Sequence, residues 1–441
     1  MGDYTMSEVL EFVEENDVKF IRLAFCDIFG RQKNVSITPS ELRRAFDKGV
    51  SFDASAIDGF FTADQSDLFL VPDPATLSVL PWRPSQGRVV RFFCDIKNPD
   101  GTPFEGDGRQ ILHRVVEKCS EMGLTCKVGA ESEFYLFLED DNGEPTEVPF
   151  DKAGYCDIAP LDKGENVRRE ICLTLEEMGI MAESSHHEQG PGQNEIDFRY
   201  SGALTAADDF VAYQSVVRTI AGRSGLYASF MPKPIPDESG SGLHVNLSLY
   251  KNGRNVFQDL LRGVPSEAEG FIAGILNRVS ECTAFLNPLT NSYERLGKCK
   301  APRYITWSKG NRSQLIRIPR ASYDSERCRM ELRSPDGACN PYFAFALLIA
   351  AGIEGIEKGL KLPNPTELNL MDPDVDTAGL ARLPETLGEA VSIARQSEFL
   401  KEVLPAGVIE KFLEAKQREW EKISASPDPR EAEHQLYFRQ I

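Results

Sequence analysis

Two glutamates separated by a single residue open the chemistry of this chain. In the run 127–138, Val128, Ala130, Phe134, Leu136 and Leu138 alternate with polar positions. An extended strand would bury them and turn Glu131 and Glu133 to the other face. Two residues of rise put those Cα atoms about 6.5–7 Å apart, a spacing that suits one divalent cation on each carboxylate. Alone, the segment reads equally as a solvated strand face with two ordinary glutamates. The run 243–250 repeats the alternation, with Leu243, Val245, Leu247 and Leu249 on one side and His244, Asn246 and Ser248 on the other. A third run sets Met330 and Leu332 against Arg329, Glu331 and Arg333, which by itself reads as cross-strand ion pairing. Together the three faces offer hard oxygen ligands and one imidazole, a donor set that favours Mg²⁺ or Mn²⁺ over zinc.

Two polar loops add to these faces. Residues 184–195 place Glu188 and Glu195 on either side of Gly190-Pro191-Gly192, and residues 237–242 form a Gly-Ser-Gly approach to the His244 strand, able to meet a ligand with its backbone. Arg312 and Arg317 carry permanent charge that can hold phosphate or carboxylate oxygens. There is no G-x-x-x-x-G-K-[ST], no dinucleotide glycine fingerprint and no H-E-x-x-H. Any nucleotide must be held by metals and arginines, and the residues alone read as a two-metal phosphoryl-transfer or hydrolytic enzyme.

The elements that position these groups fall into two units. Ser7 is the expected cap of a short amphipathic helix carrying Val9, Leu10, Phe12 and Val13 and ending near Asn16. Residues 18–25 and 34–37 flank a turn at Gly30 and predict a hairpin, and 76–80 and 88–93 are further extended runs. The loop 98–103, Asn-Pro-Asp-Gly-Thr-Pro, is the expected boundary between domains 1–103 and 104–441. Beyond it come a helix over 109–122 and a longer alternation of strands and helices, an α+β class.

Composition excludes several partners. With 49 Lys+Arg against 68 Asp+Glu the net charge is -19, so no broad basic field exists for nucleic acid. The first residues lack a basic, then apolar leader, which predicts a cytoplasmic protein. The longest apolar stretch, 342–353, is too short for a bilayer and reads as a buried helix, so no membrane partner is expected. The 10 cysteines form no C-x-x-C pair and read as reduced, packed thiols.

Taken in order, Asn98-Pro99-Asp100-Gly101-Thr102-Pro103-Phe104-Glu105-Gly106-Asp107, Glu131-Ser132-Glu133-Phe134, His186-His187-Glu188, Gly192-Gln193-Asn194-Glu195, Gly240-Ser241-Gly242-Leu243-His244, Asn291-Ser292-Tyr293 with Arg295, Asn311-Arg312-Ser313 and Asn340-Pro341-Tyr342 resemble a class I glutamine synthetase of the shorter, alpha-type subgroup. The resemblance covers nearly the whole chain. It implies a small N-terminal β-grasp-like domain and a catalytic domain whose antiparallel strands form a funnel flanked by helices. It also implies a dodecamer of two hexameric rings, in which the neighbour's N-terminal domain completes each funnel.

By resemblance, Glu133, Glu188 and Glu195 match the ligands of one metal and Glu131, His244 and Glu331 those of a second, two Mg²⁺ or Mn²⁺ per site with ATP. Arg295 matches the grip on the α-carboxylate of L-glutamate, Gly240 the contact to its amino group and Arg333 the neighbour of its side-chain carboxylate. Arg312, Arg317 and Arg329 match arginines around the phosphates and nucleotide, and Glu183 and Ser248 match nucleotide contacts. Asp53 matches the carboxylate that holds ammonium and accepts its proton. The implied reaction phosphorylates the γ-carboxylate and lets ammonia displace phosphate, giving glutamine for nitrogen assimilation.

Departures accompany the matches. A flap that usually carries glutamate before Ala-Pro reads Leu296-Gly297-Lys298-Cys299-Lys300-Ala301-Pro302, one residue short and with Lys300 at the glutamate position. A cation there repels ammonium. The chain is then a synthetase rearranged at the flap, or a ligase joining glutamate to another primary amine; a non-catalytic member is the third reading. Retained Asp53 and six retained metal ligands favour the first. Ser239 replaces the usual Asn of the Gly240 loop. Met371 stands where some bacterial relatives modify a tyrosine, so that control is expected to be absent. Thr62 stands where the alpha subgroup often has an arginine tied to feedback, which predicts weak or different inhibition by glutamine.

Overall fold

The computed structural model describes residues 4–60, 66–83, 86–319 and 327–441; Thr62 lies outside them. Helix α1 (Met6–Glu15) is capped by Thr5 rather than Ser7: the Thr5 hydroxyl accepts from Glu8 N while the Glu8 carboxylate accepts from Thr5 N. The signal is Glu8, three residues after Thr5, and it outranks the hydroxyl at Ser7. The N-terminal sheet contains β1 (Val18–Cys26), β2 (Gln32–Ile37), β3 (Val50–Asp53), β4 (Asp67–Pro72), β5 (Ser78–Val79) and β6 (Arg88–Lys97), ordered β2-β1-β6-β4-β3 with β5 also on β6. The β1–β2 hairpin forms as expected, whereas 76–80 is extended only at β5, because Pro74–Thr76 is a 3₁₀ turn. Helix α2 (Leu42–Lys48), with β3 and β4, has no counterpart among the elements expected from sequence. β1 and β6 run parallel, setting Arg22 beside Arg91.

Helix α3 (Gly108–Glu121), capped by Asp107, opens the larger unit. Its sheet is built on β7 (Leu124–Glu139), followed by β8 (Pro145–Pro149), β9 (Ala182–His187), β10 (Gln193–Phe198), β11 (Ser201–Gly202), β12 (Leu226–Ser229), β13 (Leu243–Lys251), β14 (Arg254–Asn255), β15 (Trp307–Lys309), β16 (Ile316–Ile318) and β17 (Met330–Leu332). The path is β15-β16-β17-β13-β7-β10-β9. The run 184–195, expected as a loop, is mostly the β9–β10 hairpin. Periodicity does not reveal it, because Ser184-Ser185-His186-His187 carries no apolar alternation. Leu138 departs from its expected side and is exposed near the end of β7.

Helices α4 (Glu165–Glu177) and α5 (Ala203–Arg223) pack on this sheet, α6 (Phe257–Leu261) packs on α7 (Glu267–Leu286), α8 (Thr290–Arg295) follows, and α9 (Pro341–Glu357) packs on α7, α3 and α5. α9 is the apolar stretch seen in sequence, and it is buried along most of its length. Among the described residues no helix is long and apolar enough to cross a membrane. None of the ten cysteines forms a disulfide, and seven are buried.

Candidate active site

Strand register assembles the site. On the face of β7 opposite the core, Glu133 pairs with Glu195 of β10, and Glu131 lies between Asp197 of β10 and His244 of β13. One strand further, Asn246 pairs with Glu331 of β17, and Glu331 with Arg317 of β16. Residues distant in sequence thus become adjacent rungs on one surface. That surface floors a cavity of about 500 Å³ lined by Glu131, Glu133, Glu188, Glu195, Asp197 and His244, together with Gly240, Arg295, Lys300, Arg312, Arg317, Arg329 and Arg333.

The donor atoms of Glu131, His244 and Glu331 lie within 4.8 Å of one another, as do those of Glu133, Glu195 and His244, and those of His186, Glu188 and Glu195. Glu195 therefore links Glu133 to Glu188. His244 Nδ1 is 3.4 Å from Glu131 and 3.7 Å from Glu331. Asn246 Nδ2 donates to Glu131 at 2.9 Å, and Arg329 Nε donates to Asn246 Oδ1 at 2.9 Å. Both oxygens of Glu331 already meet cations, Arg317 Nη1 at 2.6 Å and Arg333 Nε at 3.0 Å.

The carboxylates strain against one another. Burial works against ionised Glu131, but the hydrogen bond and charge of His244 outweigh it and bring its pKa down to about 2. Burial raises Glu133. Burial first, then the charges of Glu133, Asp197, Glu131 and Glu188, push Glu195 far up. Asp197 is pushed up to about 6 by burial and by Glu131. Carboxylates crowded this way gain from a shared divalent cation, and the hard oxygen donors with one imidazole fit Mg²⁺ or Mn²⁺.

Arg295, on α8 and only 3% exposed, donates Nη1 to Ser334 O at 2.8 Å and Pro335 O at 3.2 Å, and Nη2 to Arg333 O at 3.1 Å. It passes beneath the Gly240–Gly242 loop so closely that a Cβ on Gly242 would stand 2.3 Å from its Nη2, and one on Gly240 would stand 2.4 Å from Pro232 O. The loop needs both glycines. Arg333 Nη1 donates to the carbonyls of Lys300 and Arg312, fastening the flap. Cys299 and Lys300 hold φ of 45° and 71°, two consecutive non-glycine residues in the left-handed region, where side chains are disfavoured.

Four site residues singled out in sequence do not line this cavity: Glu331, 1% exposed, is covered by Arg317 and Arg333, and the others are Asp53, Glu183 and Ser248. Asp53 ends β3 on the N-terminal sheet, exposed, its Oδ1 accepting from Ser55 Oγ at 2.6 Å. Glu183 is exposed on β9, and Ser248 is buried on β13 opposite Lys127. Conversely, Asp197 and Tyr155 line the cavity although sequence reasoning does not single them out, and His186 and Gln193, which it names only within motifs and without a role, line it too. A signal for Asp197 exists: it stands two residues after Glu195 and shares its face once 193–198 is recognised as a strand.

A buried pair also escapes sequence reasoning. His187, fully buried, places Nε2 at 2.8 Å from Asp151 Oδ1 and Nδ1 at 2.7 Å from Glu188 O. Both ring nitrogens face acceptors; burial opposes the charged ring, but the hydrogen bonds to Asp151 and to Glu188 O outweigh it and raise the His187 pKa. Asp151 Oδ1 also accepts Gly192 N at 3.0 Å, tying the turn that presents Glu188.

Comparison with known proteins bears on this geometry. Residues 17–99 match the family model for the glutamine synthetase β-grasp domain, and 105–435 match that for the glutamine synthetase catalytic domain. A glutamine synthetase of Clostridium saccharobutylicum is 47% identical over 427 residues, 96% of each chain. One of Methanosarcina mazei is 45% identical over 438 residues, 98% of each. Among solved structures, a GmaS/ADP complex superposes with a TM-score of 0.87 at 29% identity, covering 98% of this chain and 100% of the other. The chain belongs to the glutamine synthetase family and is a ligase that makes glutamine using ATP.

Proposed function

We propose that glutamine forms here in two steps, through a γ-glutamyl phosphate. A carboxylate is a poor acyl donor to an amine, so the γ-carboxylate of L-glutamate first attacks the γ-phosphorus of ATP and ADP leaves. The nitrogen of ammonia then bonds to the carbonyl carbon of the γ-carboxyl group and gives up a proton to Asp53, and the C–O bond to phosphate breaks with its electron pair going to phosphate. The observation that carries this reading is a cavity lined at once by four mutually repelling carboxylates, Glu131, Glu133, Glu195 and Asp197, and by arginines that include Arg312, Arg317, Arg329 and Arg333. Phosphoryl transfer needs positioning and charge neutralisation more than covalent help.

Glu133, Glu188 and Glu195 would hold one Mg²⁺ or Mn²⁺, and Glu131, His244 and Glu331 a second; bound there, the ions supply positive charge to glutamate and the ATP phosphates. Arg295 grips the α-carboxylate, and the Gly240 loop receives the amino group through its backbone. Arg333 faces the side-chain carboxylate. Arg312, Arg317 and Arg329 spread their charge over the phosphates, with Glu183 and Ser248 reserved for the rest of the nucleotide. Lys300 keeps a cation at the flap, which repels ammonium there and leaves Asp53 as its anchor and proton acceptor. Asp53 lies outside the cavity of its own chain, so a neighbouring subunit must bring it, in keeping with a dodecamer of two hexameric rings. Ten cysteines with no disulfide among them are in keeping with action in the cytoplasm.

The test measures phosphate release from ATP with glutamate and Mg²⁺, with ammonium or with methylamine. Release with glutamine formation on adding ammonium is expected. A response to methylamine and none to ammonium overturns the assignment of the amine.

A further inference from the structure

Seven lysine and arginine side chains line the catalytic cavity, and among the described residues five of them are already engaged. Arg295 is held by three carbonyls, Arg317 and Arg333 meet Glu331, and Arg329 holds Asn246 with Glu131 3.6 Å away. Lys298 Nζ meets Glu294 at 2.9 Å. Lys300 and Arg312 remain. Both are exposed, no described carboxylate lies within ion-pair distance of either, and the hydrogen bonds that reach them go to their main chains. Five carboxylates line the same cavity, yet none is paired with these two cations.

One nitrogen brings the two together. Arg333 Nη1 donates to Lys300 O at 3.1 Å and also to Arg312 O, so the two main chains meet where Arg333 stands. Each is fixed from its own side as well. Gly297 N donates to Ala301 O at 3.1 Å and Ala301 N to Lys298 O at 2.9 Å, closing a tight turn around Lys300. Lys298 N donates to Arg295 O at 3.1 Å, which joins that turn to the end of α8. On the other side Asn311 Oδ1 accepts Ser313 N at 2.9 Å, and Asn311 Nδ2 donates to Leu368 O at 2.9 Å, pinning the loop that carries Arg312. Two like charges on neighbouring, fastened main chains repel each other, and the pair gains when an anion lies between them.

We propose that Lys300 is a catalytic residue of the phosphoryl-transfer step, acting with Arg312 on the oxygens of the phosphoryl group as it passes from ATP to the γ-carboxylate. The inference rests on the two-step reading above and on Arg333 as the neighbour of the glutamate side-chain carboxylate, the place where the phosphoryl group arrives. A carboxylate oxygen bonds to the γ-phosphorus, and the bond from that phosphorus to ADP breaks with its electron pair leaving on ADP. Charge in the transition state is spread over three equatorial oxygens. Lys300 keeps its proton throughout and turns its N–H donors to them. Its ammonium group on a flexible stem can follow the moving phosphorus, whereas Arg333 is tied to Glu331 at 3.0 Å. The charge that turns ammonium away from the flap thus has a task of its own.

The assembled enzyme is assayed with Mg²⁺ at saturating ATP, glutamate and ammonium, and its affinity for ADP, alone or with aluminium fluoride and glutamate as a mimic of the transferring group, is measured calorimetrically. Lys300→Met should lower kcat about tenfold to a hundredfold and weaken the aluminium fluoride complex about tenfold or more, with affinity for ADP alone within about twofold. Lys300→Arg should recover most of both losses. Lys300→Glu, which would help an enzyme limited by capture of ammonium, should be slower than Lys300→Met. Native kcat in Lys300→Met, kcat at or above native in Lys300→Glu, or equal loss of affinity for ADP with and without aluminium fluoride overturns the assignment. Glutamate carrying heavy oxygen in its γ-carboxylate tests the reading beneath it in the native enzyme. Heavy oxygen missing from the released phosphate overturns the two-step reading and this inference with it; heavy oxygen present alongside indifferent Lys300 variants overturns the role of Lys300 alone.

Discussion

Alanine at Gly242 would set its Cβ 2.3 Å from Arg295 Nη2. Ordinary contact begins near 3.5 Å, so the guanidinium must retreat by roughly an ångström. It has little room to do so, being 3% exposed and held by three carbonyls. The bond nearest the intruder is the 3.1 Å one from Nη2 to Arg333 O. Charge-assisted hydrogen bonds are worth about 1.5–3 kcal/mol, so losing this one costs about 2 kcal/mol, or about 30-fold in kcat/KM for glutamate. Ser241 provides the control, because its side chain is fully buried and its hydroxyl makes no hydrogen bond. Ser241→Ala removes no partner and should leave kinetics within about twofold. Steady-state kinetics at saturating ATP and ammonium, varying glutamate, read both variants. A Gly242→Ala enzyme with native kcat/KM for glutamate, or equal damage from Ser241→Ala, would refute the argument that the loop is thinned to let Arg295 pass.

Other expectations rest on different groups. Glu195→Gln removes a charge that its neighbours oppose, so the metal-free variant should melt above the native protein yet gain less from added Mg²⁺, where full binding at a hundredfold excess over Kd is worth about 2.7 kcal/mol; a metal-free variant that melts lower contradicts this. Asp151→Asn removes the charge of the nearest partner of buried His187, with Asp162 still close by, and should cost about 1.5–3 kcal/mol and weaken Mn²⁺ binding through Glu188, checked by thermal unfolding and metal titration. Glu354 is held down to about 2 by its hydrogen bond to Arg278. Its contribution is therefore complete above the ordinary value near 4.3 and fades as pH falls towards 2, and Glu354→Gln should flatten that part of the stability curve. Finally, Asp53→Ala and Glu131→Gln subunits, each inactive, should recover part of the activity when unfolded and reassembled together, since some cavities would then have intact halves; no recovery argues that Asp53 serves its own chain.

Legibility in sequence follows the length of the element and the distance of the pairing. β7 and β13 are long and alternate cleanly, so the common face of Glu131 and Glu133, and that of His244 and Asn246, can be read from residue order alone. β16 and β17 have three residues each, too few to show a period, and Arg317 against Glu331 is a relation between segments rather than within one. β9 is polar on both sides, which gives it the composition of a loop. The cap at Thr5 is decided by a reciprocal contact that a single residue type does not announce. The Arg22–Arg91 pairing joins β1 to β6 across most of the N-terminal unit, and no local pattern foretells it.

Arg333 gives the floor and the lid a common fastening. One edge of its guanidinium satisfies Glu331, and Nη1 takes the carbonyls of Lys300 and Arg312. Whatever draws Glu331 elsewhere leaves Arg333 with main-chain oxygens alone. The electrical state of the strand beneath and the posture of the segment above are in this way one variable, and a mutation on either side will be felt on the other.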